Sequence, residues 1–249
     1  TSIAGNFRML QSTASAQTTT DASKLCANAI VSASDVASKS DLCPTAANPL
    51  CSAGPSPCRL DAGDMGGLTL TAGIYCFGTL SIATLRTLTL DAQNNPNALW
   101  IFQATTTLIT GLRSAIVLKN GAQIVNVIWA IGSSATLGVS SVFVGNILAQ
   151  AAISLAARSV IQGRVLALST VTADSGSWLD IAYSFVSGKI NILSCAQFIA
   201  FAGVTITFES NGVTTIRGSI GTAPGSSITG NYVIANGGQV YKNTGPAVT

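Results

Sequence analysis

Residues 128–181 read IWAIGSSATLGVSSVFVG, NILAQAAISLAARSVIQG and RVLALSTVTADSGSWLDI, three consecutive segments of 18 residues that match column by column. Trp129, Ile147 and Val165 share one column, Ala135, Ile153 and Val171 another, and Leu137, Leu155 and Ala173 a third. Phe143, Ile161 and Leu179 form a fourth, each two residues after Ser141, Ser159 and Ser177; Gly145 and Gly163 close the first two segments. A fixed short period is the mark of a repeat architecture, in which each unit buries its apolar side against its neighbours. Each unit holds three short alternating runs, in the first near 128–131, 134–138 and 141–144. Alternation sends every second side chain inward. Three strands per unit describe one coil of a three-sided β-helix, with coils stacked about 4.8 Å apart. A longer, less regular coil precedes them, running through Leu99–Ile101–Gln103, Thr105–Thr107–Ile109 and Ala115–Val117, with an expanded connection at Asn120–Asn126.

The rest of the composition agrees with a weakly charged stack. Of 249 residues only 8% are charged, against roughly 25% in an ordinary domain. A formal charge of +3 without a basic run gives no footprint for nucleic acid or an anionic membrane. There is no histidine, and the nine acids are scattered, so the usual general base, the nucleophile triads and most transition-metal sites have no candidates. No enzyme, cofactor or metal is expected. The uncharged stretch from Asn120 to Ala157 mimics a membrane span, but Gly121, Gly132, Gly138 and Gly145 and two Ser-Ser pairs break it into strand-length bursts; no membrane insertion is expected. Six cysteines, at 26, 43, 51, 58, 76 and 195, form no CxxC pair and read as disulfides of an oxidising, extracellular compartment. Thr1 to Gln11 lack the basic start and apolar run of a signal peptide, so a secreted protein would be numbered here in its mature form.

The three faces differ in what they turn outward. On the first, Ala130, Leu148 and Leu166 alternate with Ile128, Asn146 and Arg164, beside Gly132, Gln150 and Leu168. A face this apolar needs a cover. Ala22, Leu25, Cys26, Ala29, Ala33, Val36 and Ala37 lie on a 3.6-residue stripe, which predicts a long helix over Asp21–Lys39, capped by Thr20 or Asp21 and packed along this face. The second face turns outward Ser134, Thr136 and Gly138, then Ala152, Ser154 and Ala156, then Thr170, Thr172 and Asp174, with Thr105 and Thr107 added by the preceding coil. It is small-residued and almost uncharged. Its side chains would repeat about every 4.8 Å across coils and roughly 7 Å along a strand. Because Thr has few rotamers, its methyl and hydroxyl stay in place and can hold ordered water; preorganisation of that kind lowers the cost of binding a lattice. The third face, with Val142, Val144, Val160, Gln162, Trp178 and Asp180, is bulkier and less regular.

Gly66–Tyr75, GGLTLTAGIY, resembles the "GGLTLTPGVY" motif of the microbial ice-binding (antifreeze) proteins. Leu88–Asp91, Asn97–Gln103, Asn120–Gln123, Gly132–Gly138 and Gly145–Ala149 are similar to that family's "LTLD", "NAVFIFQ", "NGAQ", "GSSATLG" and "GNILA". The resemblance is dense from about Asp64 to Thr172, and Cys43–Cys58 stands outside it. It implies a right-handed β-helix with one long α-helix alongside, and a flat β-face that binds ice without a cofactor. Ile190–Ala202 and Ile216–Gly230 resemble what normally stands at the family's N-terminus. A single circularly permuted domain is therefore expected: residues 1–60 a helix and disulfide-rich cap, 61–184 the main coils, and 185–249 further coils completing the stack. A truncated second repeat is the alternative, with Gly5-Asn6-Phe7 as its weak echo. The expected partner is an ice crystal surface, bound by a monomer. Its contact residues would be Thr105, Thr107, Ser134, Thr136, Ala152, Ser154, Thr170 and Thr172. A carbohydrate-binding or adhesive solenoid is the competing reading; it calls for an aromatic groove, which Trp100, Trp129 and Trp178 do not evidently form. A solenoid lyase or hydrolase would call for an acidic cluster.

Overall fold

The computed structural model describes residues 63–180 and 198–242. Within them every strand pair is parallel, and the strands fall into an eight-stranded and a fourteen-stranded sheet. The eight-stranded sheet is the second face: β1 (Gly63–Asp64), β4 (Leu80–Ile82), β7 (Leu108–Thr110), β10 (Ala135–Leu137), β12 (Ile153–Leu155), β14 (Thr170–Ala173), β17 (Thr205–Phe208) and β20 (Ser227–Thr229). The third face holds β2 (Thr69–Thr71), β5 (Thr87–Asp91), β8 (Ala115–Lys119), β15 (Trp178–Asp180), β18 (Thr214–Arg217) and β21 (Tyr232–Ala235). The first holds β3 (Gly73–Phe77), β6 (Trp100–Ala104), β9 (Val127–Ile131), β16 (Phe198–Ala202), β19 (Ser219–Thr222) and β22 (Val240–Lys242). Two longer strands, β11 (Val142–Ala149) and β13 (Val160–Ala167), belong to both the third and the first face.

The repeat is reproduced residue for residue. Ala135 pairs with Ile153 and Ile153 with Val171; Val142 pairs with Val160 and Val160 with Trp178. All four predicted inward columns are buried. Each fully buried Leu, Ile or Phe contributes about 1.5–3 kcal/mol relative to exposure, and the stack repeats that gain at every coil. One detail departs from three separate runs per unit. The third run of one coil continues unbroken into the first run of the next, because the corner is turned at Gly145 (φ 113°) and Gly163 (φ 138°) inside β11 and β13. A β-carbon on Gly163 would collide with the backbone of Gly145 one coil below, so this corner admits only glycine. The other corner, between second and third faces, is rounded by left-handed residues in successive coils: Leu85, Arg113, Ser140, Arg158 and Gly176. A serine that follows the last four of them, at 114, 141, 159 and 177, is buried.

Inside, Tyr75, Phe102, Trp129 and Phe143 form a continuous aromatic stack with centroid separations of 5.3, 4.0 and 5.0 Å. The Trp129 indole N–H donates to the Val144 carbonyl at 3.0 Å and that of Trp100 to Leu70 at 3.2 Å, so neither ring leaves a buried donor unmet. The outward side chains of the first face are buried as well: Ile128, Ala130, Leu148 and Leu166 are each under 8% exposed. Arg164 lies among them and donates to the Asn146 side chain at 3.1 Å; burial lowers its pKa from the usual arginine value. The helix expected over Asp21–Lys39 lies outside the described residues, among which the one helical turn is a 3-10 segment at Ile124–Asn126. That turn occupies the connection expected to be expanded. Cys76 is buried and disulfide-bonded; the other five cysteines lie outside the described residues.

Candidate functional site

On the second face the register sets one outward column running the length of the sheet: Asp64, Ser81, Ile109, Thr136, Ser154, Thr172, Thr207 and Thr229. A second column stands two residues earlier on each strand, roughly 7 Å away. It contains Thr107, Ser134, Ala152, Thr170, Thr205 and Ser227, the last three placed directly by Cα partnership. Thr136, Thr207, Thr229 and Ser227 are exposed, while Ser134, Ala152, Ser154, Thr170, Thr172 and Thr205 are half-buried by their neighbours. The Thr172 hydroxyl donates to that of Ser154 at 3.2 Å, so these two side chains fix each other across the rungs. Beneath them Val171, Ile153 and Ile206 are wholly buried, which anchors the strands from the inside.

Seven of the eight predicted contact residues come together on this face. Thr105 does not. It stands at the corner between first and second faces, level with Gly132, whose β-carbon would meet the Thr105 carbonyl. Thr105 lies in the bend between β6 and β7, in register with Gly132 as Ala104↔Ile131 and Leu108↔Ala135 place it, and so falls before the column of Thr107 and Ser134. The same register puts Ile109, 48% exposed, where neighbouring rungs carry Thr136 and Ser154. A third column, Gly111, Gly138, Ala156, Asp174 and Glu209, borders the face; its last two members are acids on adjacent rungs.

At the C-terminal end of these columns four hydroxylated residues were missed in the sequence: Thr205, Thr207, Ser227 and Thr229. The signal was present, since Thr205-Ile206-Thr207 and Ser227-Ile228-Thr229 repeat the alternation of Thr170-Val171-Thr172 around a buried centre. It was hidden because Thr172 pairs with Thr207 and Thr207 with Thr229, spacings that no longer follow the 18-residue period.

The third face is chemically different. Val142 and Trp178 are exposed, Val144 is buried, and the Arg217 guanidinium sits 4.8 Å over the Trp178 ring and 3.4 Å from Asp180. Trp100 and Trp129 are core residues at 0% exposure. An aromatic sugar platform therefore cannot include them. Among the described residues no group of His, Cys, Asp and Glu could hold a metal, and no helix is long and apolar enough to cross a membrane.

A β-solenoid with one flat face of small hydroxylated residues is the class that this geometry defines. The chain matches the family described as Ice-binding-like over residues 1–177, and it belongs to that family. The match takes in Cys43–Cys58, which the motifs alone leave outside the resemblance, and ends before the C-terminal coils. The chain is similar to an ice-binding protein of Nostoc sp. (strain HG1), 46% identical over 123 residues that cover 49% of this chain and 45% of that protein. It is also similar to an ice-binding protein of Flavobacterium frigoris (strain PS1), 38% identical over 119 residues, 47% of this chain and 42% of the other. The matches thus span less than half the length of these relatives. Among solved structures, the ice-binding protein of the Antarctic ascomycete Antarctomyces psychrotrophicus is 39% identical with a TM-score of 0.45, covering 47% of this chain and 59% of that one.

Proposed function

We propose that this chain is an ice-binding protein that adsorbs to ice through its second face, giving thermal hysteresis and inhibition of ice recrystallisation. The observation that carries the reading is the unbroken register of β10, β12 and β14, which holds Thr136, Ser154 and Thr172 in one column and Ser134, Ala152 and Thr170 in the next. Thr107 extends the second column by one rung. Methyls and hydroxyls on so fixed a backbone order water in rows about 4.8 Å apart before ice is met, so adsorption needs little further ordering. Ice then grows only as curved fronts between bound molecules, and freezing is depressed. The ligand is a surface, and the rungs of β10, β12 and β14 offer it only Ser, Thr and Ala in their two outward columns, so the proposed activity is adsorption without a cofactor. The reading extends to a secreted monomer built as a right-handed stack. It extends also to a circularly permuted order, in which the C-terminal coils would supply what normally stands at the family's N-terminus.

The test is direct. A small ice crystal grown in the protein's solution should become faceted and stop growing over a measurable temperature gap. Thr136→Tyr or Ser154→Tyr should abolish the gap while leaving the melting temperature of the protein unchanged. Unfaceted growth without a gap in the unsubstituted protein sinks the proposal; retained shaping in both variants removes the face assignment.

A further inference from the structure

The two C-terminal rungs of the second face lie beyond the residues that match the family, yet they continue both columns without a shift. Thr170, Thr205 and Ser227 are consecutive partners, and so are Thr172, Thr207 and Thr229. With β10 and β12 they make five successive rungs whose two outward columns contain only Ser, Thr and Ala. Three rungs span roughly 10 Å and five roughly 19 Å along the stack, so the C-terminal coils about double the length of the uniform array.

The opposite end of the sheet is different. Ile109 projects a larger side chain, 48% exposed, into the central column. The Ser81 hydroxyl is turned back to the Gly63 carbonyl at 3.2 Å. Asp64 is a charge, and its carboxylate is engaged by the Gly66 and Ala83 amides at 2.8 and 2.9 Å. A charge, a larger protruding side chain and a hydroxyl bonded to the adjacent strand each interrupt a regular water layer.

Building on the proposed ice-binding function, we propose that the ice contact is centred on Thr172, Thr205, Thr207 and Thr229. The C-terminal coils are then a principal part of the binding site, and Asp64, Ser81 and Ile109 lie outside it. The contact patch there is two columns wide, bounded on one side by Asp174 and Glu209.

The experiment compares the hysteresis gap of the full chain with that of Thr207→Tyr, Thr229→Tyr and Ser81→Tyr, alongside Thr136→Tyr and thermal unfolding of each. Thr207 and Thr229 point outward and are exposed, so the substitutions leave the core untouched. Thr207→Arg serves as a second variant should Thr207→Tyr unfold. Adsorption of dye-labelled protein to a single ice crystal reads binding independently. The inference expects Thr207→Tyr and Thr229→Tyr to lose most of the gap and of the adsorbed dye, and Ser81→Tyr to keep both. Loss in Thr136→Tyr with full activity in Thr207→Tyr and Thr229→Tyr overturns the inference and leaves the proposed function standing. Loss in Ser81→Tyr equal to that in Thr207→Tyr overturns the restriction to the C-terminal end. Activity retained in all four tyrosine variants overturns the assignment of the face, and with it the inference.

Discussion

At the scale of single residues, the fold depends on positions where a side chain is forbidden or where one charge orders a loop. Gly163 is the clearest of the first kind, since it combines φ 138° with a β-carbon position blocked by the backbone of Gly145. Gly163→Ala should cost about 3 kcal/mol or more, because strain at a left-handed position adds to a backbone collision. Gly121 (φ 82°), which has open space around its β-carbon, should cost only about 1 kcal/mol on the same change. Chemical denaturation of the two variants reads the difference. Asp91 is of the second kind. Its carboxylate accepts from the Gln93 amide at 2.8 Å and from the Asn120 side chain at 2.7 Å. The first of these bonds, then the second, holds its pKa below the ordinary aspartate value. A carboxyl with a depressed pKa stabilises the folded state where it is ionised. Its contribution is complete above the ordinary aspartate range and disappears as the pH falls through the lowered value. Amide exchange at Gln93 should accelerate in that acid window, and Asp91→Asn should remove the pH dependence.

At the scale of elements, a strand on this solenoid has an inner and an outer side with independent jobs. The inner side of the second face is an apolar ladder interrupted once, at Thr110, whose hydroxyl accepts from the Gly138 amide at 3.0 Å. The outer side is a grid whose width is set by what borders it. Asp174 and Glu209 stand in the third column, immediately after β14 and β17, and hydrated carboxylates there limit the small-residue array to two columns. Replacing both with Ser should widen the array and enlarge the hysteresis gap, as measured on single ice crystals; a gap that shrinks would show that the acids belong to the contact. These strands were legible in the sequence because inward and outward residues alternate with so little noise. Thr105 was misplaced for a local reason: the alternation Thr105-Thr107-Ile109 runs straight through the bend between β6 and β7, and alternation alone does not register a bend.

At the scale of the whole molecule, three faces of one stack have three fates. The second is open, and uniform over its five C-terminal rungs; the third is open and irregular, with Trp178 under Arg217. The first is buried on both sides at its centre, through β6, β9 and β16, with Leu166 and Phe201 wholly inaccessible. Leu166→Asp should therefore unfold the protein or cost several kcal/mol, since a carboxylate buried without a partner is among the most destabilising changes. Thermal unfolding checks it, and a melting temperature equal to that of the unsubstituted chain would mean that this face is open to water.

The 18-residue period by itself determined the solenoid, its four inward columns between Trp129 and Leu179 and the character of the second face, because a β-strand has a fixed two-residue alternation and a stack repeats it. The Ser/Thr/Ala grid at 134–172 followed from the same rule. Tertiary structure alone decided how far that grid extends. Rungs carrying Thr205, Thr207, Ser227 and Thr229 join it through hydrogen bonds between coils of unequal length, and a connection that varies in length leaves no period to read. It likewise decided that Thr105 stands at a corner and that Ile109 interrupts the central column. Register between coils is set by backbone pairing in space, and the chain records it only where successive coils are equally long.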